Sequence, residues 1–184
     1  SSFEDRQTIF YTPTVDEQVF IRVDDQFGNT GDWRVIVFSD EADVINGSGE
    51  DDILRGGDGN DTINGLDGDD LIEGGAGADT LNGGLGDSDT VSYSGTSSVT
   101  VNLANQTATG GDATGDVISG FENVIGATFG MDSLTGSDGA NRIFGLGGDD
   151  VINGGLGDDF IDGGAGADTI DGGGDYDTIS FESL

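Results

Sequence analysis

Ten residues spaced nine apart along two runs carry side chains able to hold a cation. They are Asp52, Asp61, Asp70 and Asp79, then Asp132, Asn141, Asp150, Asp159, Asp168 and Asp177. An eleventh, Asp89, stands one residue late at the end of the first run. Short carboxylates recurring in glycine-rich turns offer oxygen ligands to a hard cation such as calcium. Two residues after each regular position lies an apolar side chain: Leu54, Ile63, Ile72, Leu81, Leu134, Ile143, Ile152, Ile161, Ile170 and Ile179. A strict register of this kind means one small structural unit stacked many times.

The charge supports the same chemistry. The chain has 184 residues, 37 acidic against 5 basic, for a net charge of -32. Glu accounts for only 7 of the acids, and Asp is the acid that folds back onto its own turn. Such a surface repels nucleic acid and anionic membranes. With 36 Gly and so little apolar content, the chain is expected to stay unfolded until cations neutralise it. Cys and His are absent, which excludes disulfides and His/Cys zinc sites.

Stepping along the chain, residues 1–40 hold the single Trp and the single Pro. There Gln18 to Val23 and Trp33 to Phe38 read as two strands of a hairpin, either a cap on the stack or the remnant of a β-sandwich. A first repeat block follows at 41–91, with units GSGEDDILR, GGDGNDTIN, GLDGDDLIE, GGAGADTLN and the slipped GGLGDSDTV. Residues 92–117 break the period, with SVTVNL reading as a strand and TGGDATGD as a loop. The second block, 118–184, resumes at FENVIG and runs through GGGDYDTIS. Three-residue strands joined by six-residue turns predict an all-β fold whose core is one aliphatic side chain deep.

These units follow G-G-x-G-x-D-x-U-x, and the chain resembles the RTX (repeats-in-toxin), or haemolysin-type, calcium-binding family. The resemblance implies a right-handed parallel β-roll in two blocks, with two nonapeptides per coil, so that residue n lies over n+18. It also implies a ligand scheme, each ion taking two carboxylates and four carbonyls from turns 18 residues apart. Asp61 with Gly57 and Gly59 is then expected to face Asp79 with Gly74 and Ala76. Asp52 is set against Asp70 with Gly65 and Asp67, and Asp132 against Asp150 with Gly145 and Gly147. Asp150 with Gly148 faces Asp168 with Gly163 and Ala165. Asp159 with Gly155 and Gly157 faces Asp177 with Gly172 and Gly174. The expected load is about five to eight Ca2+. Glu50, the slip before Asp89, and Asn141 mark the turns where the metal should be weakest, and the Asp70–Asp89 pairing is left open. Asp58, Asp67, Asp69, Asp149, Asp158 and Asp162 read as surface charge.

No enzyme is expected: the usual bases and nucleophile pairs are missing, and no EF-hand or phosphate loop is present. The expected role is a module that folds on extracellular calcium and supports the secretion and stability of a larger protein, whose other domains are its partners in cis. The resemblance implies a secreted, bacterial setting with type I export. The alternatives are an adhesin or surface-layer segment, or the carrier of a secreted hydrolase. Tyr93, Phe121, Phe129 and Phe144 either pack across the roll or form a surface for a glycan or cell-surface ligand. No stretch is apolar enough to span a membrane. Residues 1–25 lack the regions of a signal peptide, and the start without Met is expected of a processed or excised piece.

Overall fold

The computed structural model describes the backbone of Trp33–Ile36 and the chain from 41 to 180. Seventeen strands among these residues, numbered in chain order, make two sheets. The first holds, side by side, β1 (Trp33–Ile36), β3 (Asp52–Asp58), β5 (Leu71–Ala76), β7 (Thr90–Ser92), β11 (Asn123–Ile125), β13 (Arg142–Phe144), β15 (Phe160–Asp162) and β17 (Thr178–Ser180). The second runs β2 (Val44–Asn46), β4 (Thr62–Asp67), β6 (Thr80–Leu85), β10 (Val117–Ser119), β9 (Thr107–Thr109), β8 (Thr100–Asn102), β12 (Ser133–Thr135), β14 (Val151–Gly155) and β16 (Thr169–Gly173). In each repeat block successive strands alternate between the sheets, which is a parallel β-solenoid.

The pairing fixes the predicted register. Leu54 lies beside Ile72, Ile63 beside Leu81, Leu134 beside Ile152 and Ile143 beside Ile161, each 18 residues on. Alternation along each short strand turns the central aliphatic side chain inward, and Leu54, Ile63, Ile72, Leu81, Ile143 and Ile161 are wholly buried between the sheets. The core is one side chain deep, so neighbours cannot close a gap in it. Truncating Ile72 to Ala should therefore cost about 2–5 kcal/mol, measured by denaturant unfolding of the calcium-saturated protein.

Two places depart from the plain coil. The slip before Asp89 is absorbed in the turn, and β7 still pairs parallel with β5 as Val91 to Ile72. Between β10 and β12 the second sheet admits two further strands, β9 and β8, with β9 antiparallel to both its neighbours. This detour brings its own core: Val99, Val101, Leu103, Ala108, Ala113 and Phe121 are buried. Tyr93 is buried as well and packs within the fold with Phe121, whereas Phe144 is half-buried on the outer face of its sheet against Phe160 and Arg142, and Phe129 is exposed. Strand β1 pairs parallel with β3. Its expected hairpin partner, Gln18 to Val23, lies outside the described residues.

Candidate metal-binding turns

A regular repeat turn begins with a glycine at position one and ends with its carboxylate at position six, at the start of the strand, and the turns of Asp89 and Asp132 run one residue longer, from Gly83 and Gly126. That placement buries the carboxylate under the next coil. Asp61, Asp70, Asp79 and Asp150 are each 1% exposed, and Asp89 is fully buried. One oxygen of each has a fixed partner. Asp61 Oδ1 accepts the backbone N–H of Asp43, Asp70 Oδ1 that of Asp52, and Asp79 Oδ1 that of Asp61, all at 2.8 Å. In the second block Asp150 accepts from Asp132 at 2.8 Å, Asp168 from Asp150 at 2.9 Å and Asp177 from Asp159 at 3.1 Å. The ladder thus stitches every coil to the one below it through a carboxylate.

The other oxygen is left bare. Oδ2 of Asp61, Asp70, Asp79, Asp89, Asp150 and Asp159 is buried without a hydrogen-bond partner. Six buried carboxylate oxygens without donors would each carry an unmet desolvation penalty. The space beside them is shaped by the first glycine of the turn. A Cβ on Gly56 would lie 2.2 Å from Asp61 Oδ2 and 2.5 Å from the Gly74 carbonyl oxygen. One on Gly145 would lie 2.4 Å from Asp150 Oδ2 and 2.6 Å from the Gly163 carbonyl, and one on Gly154 2.2 Å from Asp159 Oδ2 and 2.4 Å from the Gly172 carbonyl. Gly65 likewise meets Asp70 Oδ2 and the Gly83 carbonyl, so in these four turns a carboxylate oxygen and a carbonyl from the next coil converge on one gap.

Burial also makes these carboxylates hard to ionise. It pushes Asp61, Asp70, Asp79 and Asp150 up from 3.8 to about 6. The donated backbone N–H pulls each one part of the way back, and the neighbouring carboxylates of the ladder push it up again. Burial raises Asp89 and Asp159 in the same direction. Buried carboxylates that are costly to charge and point bare oxygens inward suit the chemistry of a bound cation.

The RTX calcium-binding nonapeptide repeat profile matches in four copies, over residues 39–72, 55–89, 127–161 and 144–179. The chain belongs to this family. No curated protein sequence matches the chain. The RTX assignment fits the donor set, which is oxygen throughout and mixes carboxylate with carbonyl, as a calcium shell requires. Among the described residues no three acidic side chains converge on one point.

The expected RTX ligands fall into groups. The carbonyls of Gly74, Gly163 and Gly172 meet the bare oxygens. Other expected carbonyls already accept an N–H between turns: Ala76 from Gly59 at 2.8 Å, Ala165 from Gly148 at 2.9 Å, and Gly155 from Gly174 at 2.9 Å. Asp168 and Asp177 are more open than the rest of the ladder. The Asp70–Asp89 pair forms despite the slip, with Asp70 N–H donating to Asp89 Oδ1 at 2.8 Å.

Three RTX turns are different. Asp52 Oδ2 accepts from Ser48 N–H at 2.6 Å and from Ser48 Oγ at 2.9 Å. Asn141 Oδ1 accepts from Ser137 N–H at 2.6 Å, and its Nδ2 donates to the Glu122 carbonyl at 2.6 Å. Asp132 Oδ2 accepts from Ala127 N–H at 2.6 Å. The first two coincide with departures visible at Glu50 and Asn141.

Sequence reasoning missed Asp116 and Glu122. Asp116 Oδ1 accepts Asp79 N–H at 2.9 Å, and its Oδ2 accepts from the Tyr93 hydroxyl at 3.1 Å. Glu122 accepts Asp89 N–H at 3.0 Å. The signal for Asp116 was the string GDVIS, with Ile118 two residues on, but it comes 37 residues after its partner instead of 18. Of the acids read as surface charge, Asp149 and Asp158 are exposed yet accept N–H groups one coil above, while Asp162 is buried and caps Gly164 N–H.

Proposed function

We infer that the chain is a calcium-dependent folding module of a larger secreted protein. The observation that carries this is the set of six buried, donorless Oδ2 atoms, each in a repeat turn of the RTX type. Asp61, Asp70, Asp79, Asp89, Asp150 and Asp159 supply the carboxylates, and at Asp61, Asp70, Asp150 and Asp159 the first-glycine carbonyl of the turn above completes part of the shell. Calcium, when bound, neutralises the ladder and cross-links successive coils. Without it the stacked carboxylates oppose the coil, and the thin aliphatic core is too small to hold it.

In a cell with little free calcium this chain stays extended, which suits export as an unfolded polypeptide. Outside, millimolar calcium drives folding, and affinities of about 10⁻⁴ to 10⁻³ M match such a switch. Bacterial type I export and a cargo elsewhere in the parent protein follow from RTX membership as parts of this proposal. The repeat family is a structural calcium-binding one, so the chemistry of any such cargo belongs to other domains.

Circular dichroism of the full chain during calcium titration provides the test. The β signal should appear cooperatively with calcium and vanish in excess chelator. A chain that keeps its full β structure in chelator at neutral pH does not work this way.

A further inference from the structure

We propose that the backbone at position two of each turn decides whether that turn accepts calcium, and that Ser48, Ala127 and Ser137 close their turns to the metal with an N–H in its place. The proposal rests on the calcium reading above and sharpens it. In all six turns with a bare Oδ2, position two has a positive φ: Gly57 (105°), Leu66 (87°), Gly75 (98°), Gly84 (122°), Leu146 (68°) and Gly155 (110°). The three closed turns have Ser48, Ala127 and Ser137 at the residue after the first glycine, none of them at positive φ. There the position-two N–H points into the turn and reaches the carboxylate or amide oxygen at 2.6 Å.

Two further observations support this division. Leu66 and Leu146 hold a left-handed backbone that a bulky residue rarely adopts. A Gly explains itself there; a Leu does so only if the turn gains by keeping its N–H out of the cavity. The serine turns, in contrast, are built to stay shut. Ser48 Oγ also accepts from Glu50 N–H at 3.3 Å, and Ser137 Oγ from Gly139 N–H at 3.2 Å, so each hydroxyl ties the turn twice. The same gap exists in outline, since a Cβ on Gly47 would still meet Asp52 Oδ2 and the Gly65 carbonyl. An N–H donor now points at that oxygen, and a cation cannot share the lone pair with it.

Calcium stoichiometry of the full chain at saturation, read by native mass spectrometry, tests the idea. Ser48→Gly/Glu50→Gly and Ser137→Gly/Asn141→Asp each restore the repeat consensus, and each should add one ion to the wild-type count. Ser48→Ala keeps the N–H and should leave the count unchanged. Gly155→Ser should remove one ion, and the two gain variants keep the test decisive if that protein does not fold. If wild type binds calcium but neither restored turn adds an ion, position two does not control the site and the proposal falls alone. If wild type binds none, the calcium reading falls with it.

Discussion

Replacing Gly77 by Ala dismantles the first block, while the same replacement at Gly49 leaves it standing. Both glycines lie in repeat turns on the same roll. A Cβ on Gly77 would sit 1.5 Å from the Gly59 carbonyl oxygen, in a backbone at φ +154°. That oxygen is main chain in the coil beneath, so relief requires the two coils to separate. A Cβ on Gly49 would meet nothing within 4 Å. Coil separation breaks the N–H contacts of the ladder and spreads the carboxylate–carbonyl gap. The loss for Gly77→Ala should exceed about 4 kcal/mol, against about 0.5 kcal/mol or less for Gly49→Ala. Denaturant unfolding in saturating calcium measures both. Equal losses would show that coil-to-coil contact at position four is not what sets the stability.

Acid should stand in for calcium. Asp61, Asp70, Asp79 and Asp150 titrate near 6 in the fold against 3.8 outside it, because burial favours the neutral form. The folded chain therefore binds these protons more tightly than the unfolded chain. Their contribution to the metal-free roll is complete below pH 3.8 and is lost as the pH rises through about 6. Each such carboxylate is worth on the order of 3 kcal/mol across that window. In excess chelator, the far-ultraviolet β signal should grow as the pH falls from 7 toward 4. In calcium the sign reverses, since protons and metal compete for the same oxygens, and the calcium midpoint should rise below about pH 6. Asp150→Asn should reduce the acid gain and Asp138→Asn, an exposed carboxylate that raises none of the four, should not. A β signal flat from pH 7 to 4 in chelator would mean that these carboxylates are not buried as described.

Much of this was legible in the residues because the repeat is a local code. The nine-residue spacing of Asp61, Asp70 and Asp79 places the turns, and the apolar residue two positions later places the strand and its inward face. The resemblance supplied the stacking distance, which the pairing of Leu54 with Ile72 bears out. What the sequence hid was long-range or conformational. Asp116 joins the ladder 37 residues from Asp79, after a detour whose length no local pattern sets. Tyr93 before the detour and Phe121 after it are buried in one core, far apart in sequence. Leu66 and Ser48 both look like lapses from a position-two glycine. One adopts the left-handed backbone and the other does not, and a letter does not reveal which.

The antiparallel strand β9 has a consequence for how one part of the molecule informs another. The turns form two rows, one on each side of the roll. The row entering the first sheet runs without a break from Asp70 to Asp89, on to Glu122, and through Asn123 to Arg142. The row entering the second sheet runs from Asp61 through Asp79 to Asp116, and there β9 and β8 stand before the coil of Asp132. A stacked array behaves as a linear lattice in which each site is coupled to its nearest neighbours. On such a lattice, one row is a single correlated string and the other is cut in two. Order begun at either end of the roll can reach the far block along one side, and must start afresh on the other.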